Sequence, residues 1–324
     1  MTVDVLTVGN ALIDLLVTVA DDNPYCRVDK ESHELCIKAG EKILADHVGF
    51  VLGGGACRVA IALARLGFTT AVFAEIGNDE LATRIQRTLA EEKVDTSHLG
   101  RIEKMTSFTV GLNFQKERTL FTHHVASPHV FDFSTTSCSW MYLASLGKPW
   151  QNVYEAVVLY KKEKGIKVAC NPGPSQFVMG RESYLPTLSQ VDVLFVNKQE
   201  AQIVAAKNTE DVKKLLQTIK MLGPTIVVIT DGRKGSCAID STGKTFAVSI
   251  HEVPVVERTG AGDAYAAGFL AATMQGKDVR EAMQWGTVNA AAVVQAFGGL
   301  SGLLTKEKLV TLLAGSDVPK AERL

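Results

Sequence analysis

Residues 193–229 read VLFVNKQEAQIVAAKNTEDVKKLLQTIKMLGPTIVVI and contain the pattern on which the fold prediction depends. Two short apolar runs rich in β-branched residues, 193–196 and 225–229, are typical of buried strands. Between them lie two stretches with the apolar spacing of amphipathic helices, 199–206 and 209–222. A strand, then helices, then a strand is the order that builds a parallel sheet covered by helices, so the stretch predicts an α/β protein.

The same alternation continues toward both ends of the chain. Short apolar runs predict further strands at 3–8, 70–76 and 167–170. Helices are predicted at 56–66, closed by Gly67, at 79–93, capped by Asn78 or Asp79, and at 150–164. We therefore expect a Rossmann-like central, mostly parallel sheet with helices on its faces. The last eight or so residues are polar with one proline, and we expect them to fray.

Two segments near the start of this series do not follow the alternation. Residues 15–52 and 101–127 include runs such as 107–114 and 118–124, in which Phe, Thr and Val are frequent. Only three residues separate the latter two runs, as in a hairpin. We expect these segments to form a small antiparallel β-sheet that covers a site as a lid. The main domain is then built from residues 1–14, 53–100 and 128–324.

The composition excludes several classes of protein. The 324 residues carry a formal net charge of −1, which gives no basic excess for nucleic acid or a membrane surface. The amino-terminal segment lacks the basic and long apolar regions of an export signal. Six scattered cysteines form no CxxC pair, and the seven histidines form no ligand motif, so we expect reduced thiols, a cytoplasmic location and no metal built into the protein.

The segment that carries chemistry is Arg258-Thr259-Gly260-Ala261-Gly262-Asp263-Ala264-Tyr265-Ala266-Ala267-Gly268-Phe269. Its loop of small residues runs directly into an apolar helix, so backbone N–H groups and the positive end of the helix can converge on an anion. A carboxylate in the first turn, Asp263, can take the proton of an attacking hydroxyl during phosphoryl transfer. From spacing alone, a tight glycine turn in which Asp263 only caps the helix explains the pattern equally well.

The sequence resembles the ribokinase-like, or PfkB, family of carbohydrate and nucleoside kinases over essentially its whole length. The segment TGAGDAYAAGF resembles the carboxy-terminal signature of that family. Other family motifs follow in the right order: Gly9-Asn10-Ala11-Leu12-Ile13-Asp14, Gly53-Gly54-Gly55-Ala56, Ile76-Gly77-Asn78-Asp79, Asn197-Lys198-Gln199-Glu200 and Thr230-Asp231-Gly232-Arg233-Lys234-Gly235.

The resemblance implies a role for each of these motifs. Asp263 would be the catalytic base, and Gly260, Ala261 and Gly262 would form the anion hole. The acceptor would be held by Asp14, with Asn10, Gly53, Gly54 and Gly55 around it. ATP would bind along Thr230, Gly232 and Gly235, with Asn289 near the adenine, while Asn197 and Glu200 would position Mg²⁺ through water. Three alternatives remain open: Asp14 can be a turn residue after the first strand, Asn197 and Glu200 can form a helix capping box, and Asn289 can be an ordinary helix residue.

Two positions depart from the family pattern. Arg58 stands where the family has an asparagine that contacts substrate hydroxyls. A guanidinium only donates hydrogen bonds and prefers carboxylate or phosphate, so Arg58 either binds an anionic acceptor or turns to a surface carboxylate. Glu257 stands where several members have an aspartate of a monovalent-cation site, which makes a K⁺ site there an open question.

We therefore expect a kinase that transfers the γ-phosphoryl group of ATP to a hydroxyl of a small sugar. The alternatives are a nucleoside acceptor, a phosphorylated or acidic sugar because of Arg58, and a sensor that binds sugar or nucleotide without turnover. Successive side chains of a strand point to opposite faces, so one of His123 and His124 in the lid hairpin would face the acceptor. The lid also makes a homodimer plausible, because its strand edges are exposed.

Overall fold

A computed structural model of the chain describes residues 2–29, 31–32, 34–115, 117–134 and 136–324. The strands are β1 Thr2–Val8, β2 Leu12–Thr18, β3 Cys26–Val28, β4 Leu35–Ile37, β5 His47–Gly53, β6 Thr70–Ile76, β7 Leu99–Arg101, β8 Phe108–Phe114, β9 Glu117–His123, β10 Ser137–Leu143, β11 Lys167–Cys170, β12 Val193–Asn197, β13 Ile226–Thr230, β14 Ser236–Ile239, β15 Thr245–Val248 and β16 Glu322–Arg323. The helices are α1 Gly55–Arg65, α2 Glu80–Glu91, α3 Gln151–Lys164, α4 Pro174–Val178, α5 Arg181–Leu188, α6 Lys198–Ala205, α7 Val212–Lys220, α8 Ala261–Met274, α9 Val279–Val293 and α10 Lys306–Leu313. None of the helices in the described ranges is long and apolar enough to cross a bilayer.

The main sheet has the strand order β16-β15-β14-β13-β12-β11-β10-β1-β6-β7. Neighbouring strands from β7 to β13 pair in parallel, and only β14, β15 and β16 pair antiparallel at one edge. The prediction of a mostly parallel central sheet is therefore confirmed. The expected fraying of the last residues is wrong, because β16 adds to the sheet edge and the Leu324 amide donates to the Thr245 carbonyl at 2.9 Å.

Helices cover both faces of this sheet, because its strands are apolar on both sides. One buried cluster packs α1, α2, α8, α9 and α10 against the sheet, and a second packs α3, α5, α6 and α7 against the other face. Helices α8 and α9 approach closely at Gly268, where an added Cβ would lie 2.7 Å from the Trp285 carbonyl oxygen. The small residues of α8 thus fix its position, and with it the position of its amino-terminal end.

A separate four-stranded sheet has the order β5-β2-β8-β9, and we call it the lid sheet. Its register places Val51, Asp14, Thr109 and Thr122 in one row across the four strands. Because side chains alternate along a strand, this face of the lid sheet also carries Arg118, four residues from Thr122. The opposite face carries a second row across the same strands, formed by Phe50, Leu15, Val110 and Phe121.

Candidate active site

The anion site predicted from the small-residue loop lies at the amino-terminal end of α8. Gly260 precedes the helix with φ +75°, a left-handed conformation that glycine adopts without strain. Within the described ranges, no side chain caps this helix end. The amides of the first turn have no partner inside an α-helix, so the N–H groups of Gly262 and Asp263 can bind an anion at the positive end of the helix dipole.

Asp263 lies in the first turn of α8, beside these amides. Its side chain is 18% exposed, and its Oδ2 accepts a hydrogen bond from Arg58 Nη1 at 3.5 Å. Burial raises the pKa of Asp263 above its ordinary value, and Arg58 opposes that rise. A carboxylate with a raised pKa beside an anion site has the properties of a general base for a hydroxyl nucleophile.

The three glycines at the start of α1, Gly53, Gly54 and Gly55, leave room for the polar groups around them. An added Cβ on Gly53 would lie 2.9 Å from Asp14 Cγ, and one on Gly54 would lie 2.1 Å from the Asn10 carbonyl oxygen. At Gly55 the nearest atom would be Asp263 Oδ1, at 3.2 Å. The glycine run therefore allows β2, α1 and α8 to bring their polar groups to one place. The Asn10 side chain accepts a hydrogen bond from the Gly147 amide at 2.9 Å and so supports the neighbouring loop.

Arg58 lies between Asp14 and Asp263 and contacts both of them. Its Nη2 donates to Asp14 Oδ2, its Nη1 donates to Asp263 Oδ2, and its Nε donates to the Leu52 carbonyl at 3.3 Å. The sequence offered two roles for Arg58, contact with an anionic acceptor or a turn toward a surface carboxylate. The surface role is wrong, because both carboxylate partners are mostly buried, with side chains 10% and 18% exposed.

A second arginine reaches the site from the lid, and the sequence analysis did not identify it. Arg118 on β9 donates to Thr259 Oγ1, and its Nη1 lies 3.8 Å from Glu257 Oε1. Glu257 is buried and also accepts hydrogen bonds from Thr259 and from the Gly298 amide at 2.8 Å. Burial lowers the pKa of Arg118, and Glu257 opposes that shift. The period of two along β9 would have placed Arg118 on the same face as Asp14, had the strand register been known.

A cavity of about 1140 Å³ runs from the loop of residues 230–235 to the anion site. Its walls include three of the residues assigned by resemblance to ATP, Thr230, Gly232 and Gly235, together with Ala261 and Gly262 of the anion site. Arg118 from the lid sheet and Glu257 from the main domain also line it. Of the described residues, Asp14, Arg58 and Asp263 are not among those that line it.

Asn197 and Glu200 form the capping box that the sequence left open as an alternative. The Glu200 amide donates to Asn197 Oδ1 at 2.9 Å, and the Asn197 amide donates to Glu200 Oε2 at 2.8 Å. Burial raises the pKa of Glu200. These hydrogen bonds use one oxygen of Glu200, so the second carboxylate oxygen fits a hydrated Mg²⁺, which prefers hard oxygen ligands and keeps most of its waters.

Asn289 has a structural position. Its side chain is fully buried, its Nδ2 donates to the Ala264 carbonyl at 2.8 Å, and its Oδ1 accepts the Leu304 amide at 3.3 Å. The cavity wall on α9 is formed instead by neighbours such as Thr287 and Ala290. The expected contact of Asn289 with adenine is therefore wrong, because the amide is already paired on the far side of the helix. It joins α9 to α8.

The two lid histidines differ in their surroundings. His123 is exposed at the end of β9. His124 approaches Gly147, and its Nδ1 is buried without a hydrogen-bond partner among the described residues. Burial lowers the pKa of His124, with smaller contributions from His123 and His129. Burial thus favours the neutral form of His124, which lies beside the loop that Asn10 supports.

Comparison with known proteins identifies the class. The fold and the motifs define a phosphotransferase with a hydroxyl group as acceptor, of the carbohydrate and nucleoside kinase type. The family described as pfkB family carbohydrate kinase matches residues 13–306. This chain belongs to that family.

Several characterised relatives are similar along most of the chain. A ribokinase of Haemophilus influenzae is 26% identical, covering 85% of this chain and 92% of its own. A 5-dehydro-2-deoxygluconokinase of Geobacillus thermodenitrificans is 25% identical, covering 80% and 82%. A cytidine kinase of Thermococcus kodakarensis is 31% identical, but covers only 45% of this chain and 54% of its own.

Solved structures show the same fold. The ribokinase of Thermotoga maritima matches with a TM-score of 0.78 at 19% identity, covering 97% of this chain and 100% of its own. A putative ribokinase II of E. coli in complex with ATP and Mg²⁺ matches with a TM-score of 0.79 at 16% identity, covering 96% and 98%. The prediction of a ribokinase-like fold is confirmed.

Proposed function

We propose that this chain is an ATP-dependent kinase that phosphorylates a hydroxyl of a small sugar. The observation that carries the proposal is the position of Asp263, a carboxylate with a raised pKa that lies in the first turn of α8 and faces Asp14 across Arg58. Kinases of this family use ATP, and the match to a complex with ATP and Mg²⁺ supports the same donor here.

In the proposed reaction, the acceptor hydroxyl lies between Asp14 and Asp263. Asp14 accepts hydrogen bonds from the acceptor, and Asp263 receives the proton of the attacking hydroxyl. The amides of Gly262 and Asp263 stabilise the charge that develops on the phosphoryl group as it moves. Thr230, Gly232 and Gly235 line the cavity that would hold the nucleotide. The lid excludes water, which would otherwise compete as acceptor.

Glu200 is the residue that would hold Mg²⁺, through water on the oxygen that the capping box leaves free. When bound, Mg²⁺ neutralises phosphate charge and orients the phosphates. Asn197 would hold the Glu200 carboxylate in place through its hydrogen bond.

We expect no K⁺ requirement, although Glu257 suggested a K⁺ site. The Arg118 guanidinium lies 3.8 Å from Glu257 Oε1 and already provides a cation beside the anion-site loop. A guanidinium is charged at every physiological pH, so the compensation does not depend on an ion from solution.

Acceptors other than neutral sugars remain distinct candidates. The cytidine kinase relative favours a nucleoside, and the 5-dehydro-2-deoxygluconokinase relative favours an acidic sugar. The Arg58 contacts favour a neutral acceptor, because Asp14 and Asp263 already compensate its charge. A non-catalytic sensor is the least compatible with an intact base and anion site.

The test is nucleotide turnover by the purified protein with Mg²⁺ and a panel of acceptors. The panel contains ribose, fructose, adenosine, cytidine, sugar acids and sugar phosphates, each with ATP and with ADP as donor, and each against a reaction without acceptor. Turnover with ATP that depends on one neutral sugar supports the proposal. Turnover that depends only on a nucleoside or on an anionic sugar would replace the sugar assignment, and nucleotide binding without turnover on any acceptor would favour the sensor.

We also propose a homodimer that forms through the lid sheet in the cytoplasm. On the face opposite Asp14, Phe50 is 46% exposed and Phe121 is 61% exposed. Exposed aromatic side chains in one row are typical of a contact surface. All six cysteines are free thiols, which is typical of a reducing compartment.

A further inference from the structure

Arg58 joins three parts of the molecule at the acceptor side of the site. It extends from α1 and contacts Asp14 on β2 of the lid sheet and Asp263 on α8 of the main domain. Its side chain is only 11% exposed, and Nε is fixed by the Leu52 carbonyl. The guanidinium is therefore held in one place by three contacts from three directions.

The contact with Asp263 engages one of its two carboxylate oxygens, Oδ2. A carboxylate oxygen that accepts a hydrogen bond from a guanidinium has less capacity to accept a proton from another group, because the guanidinium itself cannot give up its proton. Arg58 also stabilises the ionised form of the carboxylate. Among the described residues, the charged or titratable groups that interact electrostatically with Asp263 are Arg58 and Cys57 from α1, Asp14 from β2, Arg118 from β9 and Tyr142 from β10, and of these Arg58 contacts it directly.

The three side chains of this cluster are also largely buried, with 10% of Asp14, 11% of Arg58 and 18% of Asp263 exposed. A water molecule between Asp14 and Asp263 would have to enter where the guanidinium lies. An acceptor that is also bound elsewhere in the site and offers hydroxyls to both carboxylates can displace the guanidinium contacts, whereas a single water has no such additional binding energy.

We propose that Arg58 is a positioning residue that occupies the place of the acceptor between Asp14 and Asp263 and so prevents Asp263 from activating water. This proposal rests on the proposed kinase function, because it concerns the same base. The suppressed side reaction is hydrolysis of ATP. In it, a water oxygen bonds to the γ-phosphorus, the bond to the bridging oxygen breaks, ADP leaves with that electron pair, and the water proton passes to Asp263.

The experiment measures phosphate release from ATP with Mg²⁺ and without any acceptor, at pH 8. The variants are Arg58→Met, which keeps the apolar stem and removes the charge, and Arg58→Lys, which keeps the charge but not the fork that spans two carboxylates. A positioned general base contributes on the order of 10²–10⁴-fold, so we expect Arg58→Met to release phosphate at least roughly ten times faster than the wild type. Arg58→Lys should lie between the two, and Arg87→Gln, at an exposed arginine on α2, should match the wild type.

Two further measurements separate this role from a structural one. Adding Asp263→Asn to Arg58→Met should remove the gain, because the gain needs the base. The acid limb of hydrolysis should lie at higher pH in Arg58→Met than in Arg58→Lys, because loss of the cation raises the pKa of Asp263.

The outcomes decide between this proposal and the proposed function. Folded Arg58 variants that bind ATP and release phosphate no faster than the wild type overturn the inference, as does a gain that survives Asp263→Asn. If Arg58→Met does not fold, Arg58→Lys and its pH profile carry the decision. A gain that needs Asp263, in a protein that phosphorylates no acceptor of the panel, supports the inference and contradicts the assigned acceptor class. Acceptor phosphorylation without any gain contradicts the inference alone.

Discussion

At the scale of single residues, two arginines distinguish this site. Arg58 compensates Asp14 and Asp263, and Arg118 compensates Glu257, so these three carboxylates each lie beside a fixed cation. An unpaired charge in such a position would be costly, because burial removes it from water. The arrangement explains how three carboxylates can lie near the place where an anionic nucleotide reacts.

The Arg118 contact predicts activity without added K⁺. Rates in K⁺, Na⁺ and tetramethylammonium chloride at equal ionic strength should agree within about twofold, because the guanidinium already lies beside Glu257. In Arg118→Met, Glu257 loses this cation, and we expect K⁺ to restore part of the lost rate. More than tenfold activation of the wild type by K⁺ would contradict this account.

At the scale of elements, α8 positions the base and the anion site, and α2 positions the chain where it enters the lid sheet. Helix α8 holds the base and the anion site, and its approach to α9 depends on Gly268. Helix α2 starts at the Asp79 cap, whose carboxylate also accepts from the Thr106 amide and hydroxyl at 2.7 and 2.6 Å. Thr106 lies two residues before the lid strand β8, so this cap fixes the entry into the lid.

Replacement of Gly268 by Val tests the helix contact. The new side chain meets the Trp285 carbonyl, so α8 and α9 must separate, and overpacking of this kind typically costs roughly 1–3 kcal/mol. Urea unfolding should show this loss in the free energy of unfolding. Gln275→Ala, at the exposed end of the same helix, should change it little, and equal stability of Gly268→Val and wild type would refute the close contact.

Replacement of Asp79 by Ala tests the cap and its pH dependence. Loss of a helix cap costs about 1–2 kcal/mol at pH 7, and Glu80→Ala in the same turn should cost less. Burial favours a higher pKa for Asp79, but hydrogen bonds from Thr106 and from backbone amides lower it below the ordinary value. The ionised Asp79 therefore stabilises the folded protein fully at pH values above its pKa in the unfolded chain. This stabilisation is lost as the pH falls through the lower pKa that Asp79 has in the folded protein. The free energy of unfolding, measured by urea at several pH values, should differ less between Asp79→Ala and the wild type as the pH falls into the acid range. A difference that does not change with pH would contradict the role of the ionised carboxylate.

At the scale of the whole molecule, local patterns predicted much of the fold. The strands at 70–76 and 167–170 and the helix capped by Asp79 lie where periodicity and capping chemistry placed them, because these signals are local. The partners of Arg58 could not be predicted, since they lie 44 and 205 residues away in sequence. The contacts of Asn289 could not be predicted either, because the sequence of a helix does not show which of its sides faces the cavity. The sheet edge at β16 escaped prediction because a two-residue strand has no period.

The exposed aromatic side chains of Phe50 and Phe121 on the lid sheet predict that two copies of the protein form a dimer. Phe121→Glu places a charge in the aromatic row and should shift sedimentation from dimer to monomer, while Thr119→Glu, on the same strand and face, should weaken the dimer less. A wild-type protein that sediments as a monomer at tens of micromolar would contradict the dimer.

The central claim is that Asp263 is the base of phosphoryl transfer, and the most direct test compares Asp263→Asn with the wild type on the acceptor that the panel identifies. The amide keeps the shape of the side chain but cannot take the proton, so kcat should fall on the order of 10²–10⁴-fold. Affinity for ATP should stay within about threefold of the wild type, since the amides of α8 remain in place. A kcat within tenfold of the wild type would contradict the assignment of Asp263 as the base.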